Sequence, residues 1–281
     1  MSSIGGTIDP GEIGRFAAQA QSWWDPEGSF RALHRVNPAR LGFIRQYLTA
    51  HFDRDPSSLR PFEGLSLLDI GCGGGLVAEP MARLGFAVTG IDPGVEAIDA
   101  ARTHAEAMGL AIDYRVAAAE AVAASGGQFD TVLALEVVEH VADPVEFFSA
   151  VGTLVGPGGS FIGATLSRTP RSFALAIIGA EYIFRWLTPG THDWHKFLRP
   201  SEFILGLRGN GLVTTQVAGV VYDPRRSEWS LSSDLRVNYI VGAARPGAAA
   251  GQLSVGGIHG IRPKLIPSSV SSRDSSSLAS P

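Results

Sequence analysis

One stretch constrains this chain more than any other: an apolar run that ends in an acid and then breaks into glycines. It reads Ser66-Leu67-Leu68-Asp69-Ile70-Gly71-Cys72-Gly73-Gly74-Gly75. Apolar residues at helical spacing follow it, at Leu76, Val77, Pro80, Met81 and Leu84. Residues 66–70 therefore read as a buried strand, 71–75 as a turn and 76–84 as a helix. Such a corner suits a nucleotide, because glycines turn sharply and let a ligand approach the backbone. The helix start adds unpaired N–H groups. A run this rich in glycine is costly to order, which argues against a bare turn.

Spacing decides which nucleotide. A dinucleotide fingerprint needs Gly-x-Gly-x-x-Gly, and here the sixth position is Leu76. A phosphate-binding P-loop needs Gly-Lys-Ser/Thr, which is absent. What remains is Asp-x-Gly-x-Gly. A carboxylate at Asp69 would repel a pyrophosphate but suits the ammonium and sulfonium of S-adenosylmethionine. Phe86 to Ile91 reads as the next strand, ending in Asp92, 21 residues past Gly71. An acid there suits a ribose with both hydroxyls free, and Asp92-Pro93-Gly94 could equally cap the next helix.

Strands and helices then alternate at 66–70, 76–84, 86–92, 95–108 and 111–116, with further strands at Phe129–Leu135, Ser160–Thr165, Leu212–Val221 and Val237–Ala243. The pattern predicts an α/β fold with a parallel sheet and helices on both faces. Asp143-Pro144 marks a helix start running to Leu154. Directly after the fourth strand stands Glu136-Val137-Val138-Glu139-His140. On a helical turn Glu136, Glu139 and His140 would share one face, able to hold a divalent ion or only to cap helices and fix loops. Upstream, Trp23-Trp24-Asp25 cannot send both indoles into one core. One packs and the other lines a surface or pocket, so the segment reads as an arm or a lid. Downstream, Phe173 to Leu187 is apolar nearly all round yet carries Glu181 and Arg185. It suits a pocket cover, a membrane-surface helix or a core helix. His192 and His195 follow, and His192 invites a general-base reading.

The corner resembles motif I of class I methyltransferases. With the aromatic segment at 23–38 and Gly190-Thr191-His192-Asp193, the chain resembles the ubiquinone-biosynthesis O-methyltransferase family from about Glu12 to Arg245. That resemblance implies a Rossmann-like seven-stranded sheet with helices on both faces, closed by a reversed last strand. It implies methyl transfer from S-adenosylmethionine to phenolic hydroxyls of polyprenylated catechol and demethylubiquinol intermediates. Cofactor contacts would come from Arg40 (to the methionine carboxylate), Asp69, Gly71, Gly73, Asp92 and Leu135. Magnesium or a similar ion would sit on Glu136, Glu139 and His140, and His140 or His192 would serve as base. Implied partners are a polyprenyl phenol or quinol, a lipid surface met through 170–190, and a ubiquinone-biosynthesis complex. The implied location is cytoplasmic, peripheral to the inner membrane. Competing readings are a methyltransferase acting on another small phenolic or lipid substrate or on carbon, a nicotinamide oxidoreductase, and a non-catalytic binding scaffold.

Composition narrows the rest. A net charge of −4 and the absence of a basic block argue against nucleic acid. Cys72 is the one cysteine, which excludes an intrachain disulfide. No signal peptide and no membrane-spanning run is read. Residues 1–11 read as a flexible lead and 12–245 as the domain, with an insertion at about 168–198. Residues 246–281 read as a disordered Gly/Ser-rich tail, with Ser268 to Pro281 holding eight serines.

Overall fold

The strand Ser66–Ile70 forms as read and becomes β1, at the heart of one sheet. The computed structural model describes residues 22–173 and 193–247. Before β1 comes α1 (Arg31–His51). After it follow α2 (Ala78–Arg83), β2 (Ala87–Asp92), α3 (Val95–Ala107), β3 (Asp113–Val116), α4 (Ala119–Ala124) and β4 (Phe129–Leu135). A 3₁₀ turn at Val138–His140 leads to α5 (Pro144–Leu154) and β5 (Val155–Leu166). The chain finishes with α6 (Pro200–Gly209), β6 (Val213–Asp223), β7 (Glu228–Ser232) and β8 (Asn238–Ala244).

The strand order is β3-β2-β1-β4-β5-β8-β6-β7. The first five are parallel, and β8 runs antiparallel between β5 and β6. This is the reversed strand that the family resemblance implied. The sheet has eight strands where seven were expected. The extra one is β7, a hairpin partner of β6 at the edge. It forms because Trp229 and Leu231 alternate with polar residues and pack toward the core.

Both faces of the sheet are covered, because successive strand side chains point to opposite sides. Leu67 joins a cluster with Phe43, Ile44 and Leu48 of α1, Met81 of α2 and Ile98 of α3. Leu68 and Ile70 join the opposite cluster with Val122 of α4, Phe147 and Val151 of α5 and Phe203 of α6. Asp143 caps α5 by accepting from Val145 N (2.8 Å) and Glu146 N (3.2 Å), with Pro144 in the first turn. α1 carries Pro38 inside it. The proline forfeits one N–H bond, while Val36, Phe43 and Ile44 gain burial.

The order places β1 between β2 and β4, where the chain reverses its direction of winding. Ligands of open α/β sheets bind beyond the carboxyl ends of the strands at such a point. Among the described residues no helix is long and apolar enough to cross a membrane. The lead at 1–11, the start of the domain at 12–21, most of the 168–198 insertion, His192 and all but the first residues of the 246–281 tail lie outside the described residues.

Candidate active site

The carboxyl ends of β1, β2 and β4 bring together Asp69, Gly71, Gly73, Asp92 and Leu135. Asp69 stands in register with Gly90 on one side and Leu133 on the other. Gly71 opens the turn at φ 68° and Gly73 continues it at φ 52°, both left-handed. The N–H groups of Gly71 and Cys72 bond to Ile91 O at 2.8 and 3.0 Å, which ties the turn to the end of β2. A Cβ at position 71 would lie 2.6 Å from Val137 Cγ2, so this glycine also seats the turn that follows β4. Gly71→Ala is therefore expected to cost about 2 kcal/mol of stability, from lost left-handed freedom and a displaced Val137. Chemical denaturation checks this, and an unchanged midpoint would contradict the packing.

Asp92 bonds to the backbone on both sides of it. Its Oδ1 accepts from Gly94 N at 2.8 Å, and its Oδ2 accepts from Gly73 N at 3.0 Å. The carboxylate thus clamps the glycine turn to the start of α3. Burial pushes its pKa above the ordinary carboxylate range, opposed by those two N–H bonds. A carboxylate has about four acceptor sites, so these two bonds do not exhaust it.

Asp69 is buried, and its Oδ2 meets no hydrogen-bond donor. Burial first, and then the charge of Asp92, raise its pKa to about 7. An ammonium group beside it would favour the carboxylate and expel the proton. Cofactor binding is thus expected to release a proton below pH 7, with affinity rising as the pH rises toward 7 and flattening above it. Calorimetry in buffers of different ionisation enthalpy reads the proton directly, and Asp69→Asn should abolish its release. The stability linkage has the same origin. The unfolded carboxyl titrates near ~4, so the stabilisation held at lower pH is lost as the pH rises toward 7. Cys72 is buried, and burial pushes its thiol up, so it stays a neutral filler as its small size suggested.

The adjacent tryptophans divide as expected, one packed and one half-exposed, but both serve the glycine turn. Trp23 is buried and stacks on Phe30, with ring centroids 3.6 Å apart. Its indole covers Gly73 and Gly74, where any Cβ would lie 2.4 Å from a ring atom. These glycines admit an indole from the arm, a use beyond ligand approach that spacing alone does not reveal. Trp24 donates its indole N–H to Gly74 O at 2.9 Å.

The expected metal face is not assembled. Glu136 precedes the turn in a left-handed conformation, φ 56°, and 138–140 is a 3₁₀ turn, so the three side chains do not share a helical face. Arg40, 3% exposed, forms an ion pair with Glu136. Glu139, 2% exposed, accepts from Thr165 Oγ1 at 2.8 Å through Oε2, while its Oε1 meets no donor. Burial, followed by the neighbouring Glu136 carboxylate, raises the Glu139 pKa well above the ordinary range. Among the described residues no group of three or more His, Cys, Asp or Glu side chains is placed to hold a metal ion. A left-handed non-glycine residue held by a buried ion pair at the end of β4 is a strained element of the kind that clusters at functional sites. The sequence carries no sign of the Arg40–Glu136 pairing, which joins residues from α1 and the end of β4.

Comparison with known proteins places this geometry. A methyltransferase domain model matches residues 68–163. The ubiquinone biosynthesis O-methyltransferase of Paramagnetospirillum magneticum is 52% identical over 236 residues, covering 84% of this chain and 94% of that protein. Its namesake from Cereibacter sphaeroides is 54% identical over 240 residues, covering 85% and 97%. Among solved structures, magnesium protoporphyrin IX methyltransferase from Synechocystis with bound SAH superposes at a TM-score of 0.57, with 19% identity over 83% of this chain and 94% of that one. The plantazolicin methyltransferase superposes at 0.57 with 16% identity, over 85% and 100%. These two share the fold.

Proposed function

Given that this chain belongs to the ubiquinone biosynthesis O-methyltransferase family, we propose that it moves the methyl group of S-adenosylmethionine to phenolic hydroxyls of polyprenylated catechol and demethylubiquinol intermediates. The observation that carries the reading is identity above half along some 85% of the chain with relatives of that name. The juxtaposition of Asp69, Asp92 and Leu135 at the switch point supports it.

The step is a direct displacement. A phenolate oxygen attacks the methyl carbon in line with the sulfonium. The O–CH₃ bond forms as the S–CH₃ bond breaks, the sulfur keeps the electron pair, and neutral S-adenosylhomocysteine leaves. Catalysis is then mainly alignment of the two reactants. Asp69 and Arg40 hold the methionine end, Asp92 holds the ribose, and Gly71, Gly73 and Leu135 set the backbone around the cofactor. The phenol proton passes to His140, the last residue of the 3₁₀ turn after β4, with His192 as the second candidate.

A divalent cation is the finer part of this reading. Oxygen donors such as Glu136 and Glu139 suit magnesium, and an ion there would lower the phenol pKa. Among the described residues no third His, Cys, Asp or Glu completes a metal site with this pair. Contact of the 170–190 segment with a lipid surface, membership of a ubiquinone-biosynthesis complex and a cytoplasmic, membrane-peripheral location belong to the same proposal, supported by the polyprenyl character of the substrate.

The test is methylation of a prenylated dihydroxybenzoate, of the same catechol without its chain, and of a prenylated non-phenol, each with and without EDTA. Turnover of the phenols alone, favouring the prenylated one, is expected. Loss of turnover in EDTA with recovery in magnesium would add the cation; indifference to EDTA would leave the base to His140 or His192. Turnover of the non-phenol would overturn O-methylation.

A further inference from the structure

We infer that Trp24 is a positioning residue for the cofactor loop, held in place by His104 and Glu79. The inference rests on the reading of residues 66–75 as the S-adenosylmethionine site. It concerns contacts that begin and end on the same two glycines.

The contacts run as a ring. Trp24 Nε1–H donates to Gly74 O at 2.9 Å. The Trp24 indole lies flat on the His104 imidazole, with centroids 3.5 Å apart and planes 6° off parallel. His104 Nδ1 stands 2.6 Å from Glu79 Oε1. Glu79 is 2% exposed and sits in the first turn of α2, where its own backbone N–H bonds to Gly75 O at 3.1 Å. The carbonyls of Gly74 and Gly75 are thus both anchored, one through the arm and the other through the helix.

Each link has a physical reason. A buried carboxylate needs a partner, and His104 supplies one. That bond fixes the imidazole plane, which becomes the platform for the indole. The fixed indole then aims its single donor at one carbonyl. Glycines carry the widest backbone freedom in the chain, so a run of them holds a ligand-ready shape only if something outside the run restrains it. Trp24 restrains the peptide plane between Gly74 and Gly75, whose N–H bonds to Cys72 O at 2.9 Å. Trp23 covers the neighbouring plane. Trp24 needs no contact with the cofactor to set its affinity.

The test compares the full chain with Trp24→Phe and His104→Gln. Phenylalanine keeps an aromatic face on His104 and loses the donor. Glutamine keeps a donor for Glu79 and loses the platform. The dissociation constant of S-adenosylhomocysteine, by calorimetry, is expected to rise about three- to tenfold in Trp24→Phe, the worth of one neutral hydrogen bond. The KM for S-adenosylmethionine should follow it, while kcat at saturating cofactor falls less than twofold and the melting temperature holds. His104→Gln should act in the same direction. The double variant should lose no more than the weaker-binding single variant, because both cut one ring. Wild-type affinity in a folded Trp24→Phe would overturn the inference, as would effects that simply multiply in the double variant. If Trp24→Phe loses its fold, His104→Gln decides by the same readout. If both unfold, the ring is a folding element and the inference fails. Failure of the wild type itself to bind S-adenosylhomocysteine would sink the underlying reading of the loop, which is a different result.

Discussion

Asp92→Ala is expected to weaken S-adenosylhomocysteine binding by at least about 100-fold while the protein stays folded. A carboxylate holding two ribose hydroxyls makes two charge-assisted hydrogen bonds, each worth about 1.5–3 kcal/mol. Their joint loss approaches 3 kcal/mol or more, hence the hundredfold. The structural cost is smaller because opposing effects meet at this residue. Alanine leaves Gly73 N and Gly94 N without their acceptor. It also removes a carboxylate whose burial disfavours its charge. The net change in stability should stay near ~1 kcal/mol. Asp92→Asn separates the two effects, since the amide oxygen can keep one N–H bond without a charge for the ribose. Calorimetry and thermal unfolding check both arms, and unchanged affinity in a folded Asp92→Ala would contradict the assignment.

Arg40→Ala has the second large effect, and it is mixed by construction. Arg40 is 3% exposed and pairs with Glu136, whose carboxylate neighbours the buried Glu139. Removing the guanidinium leaves two adjacent carboxyls without their cation. Breaking a buried pair from one side typically costs about 3–5 kcal/mol. The loss should shrink as the pH falls, because protonation neutralises the stranded carboxylates. Arg40 Nε also meets no acceptor among the described residues, and it is the donor that the proposed methionine carboxylate would use. Arg40→Ala combined with Glu136→Gln is therefore expected to regain much of the stability and little of the cofactor affinity. Denaturation midpoints and calorimetry on the single and double variants check this. Recovery of both together would reduce Arg40 to a structural counter-ion.

The local corner was legible in the sequence for a physical reason. Glycine run, acid and alternating elements report on backbone conformation, which neighbouring residues determine. Thus β1 at Ser66–Ile70 and β4 at Phe129–Leu135 fall on the residues read for them, and Asp92 ends β2. What the sequence did not disclose depends on contacts across long separations. The left-handed Glu136, just before the 3₁₀ turn at 138–140, is paired with Arg40, 96 positions away. The joint use of Trp23 and Trp24 by the glycine turn depends on how the arm docks over α2 and α3. The edge strand β7 was legible in principle, since Trp229 and Leu231 alternate, but the span is short and polar around them.

The central claim is methyl transfer to a phenolic oxygen. The most direct measurement follows labelled methyl from S-adenosylmethionine into a short-chain demethylubiquinol, locating the label in the product by NMR. The account predicts one labelled methoxy group per turnover and an equal yield of S-adenosylhomocysteine. A protein that binds S-adenosylmethionine yet leaves the quinol unlabelled, or that places the methyl on ring carbon, would contradict it.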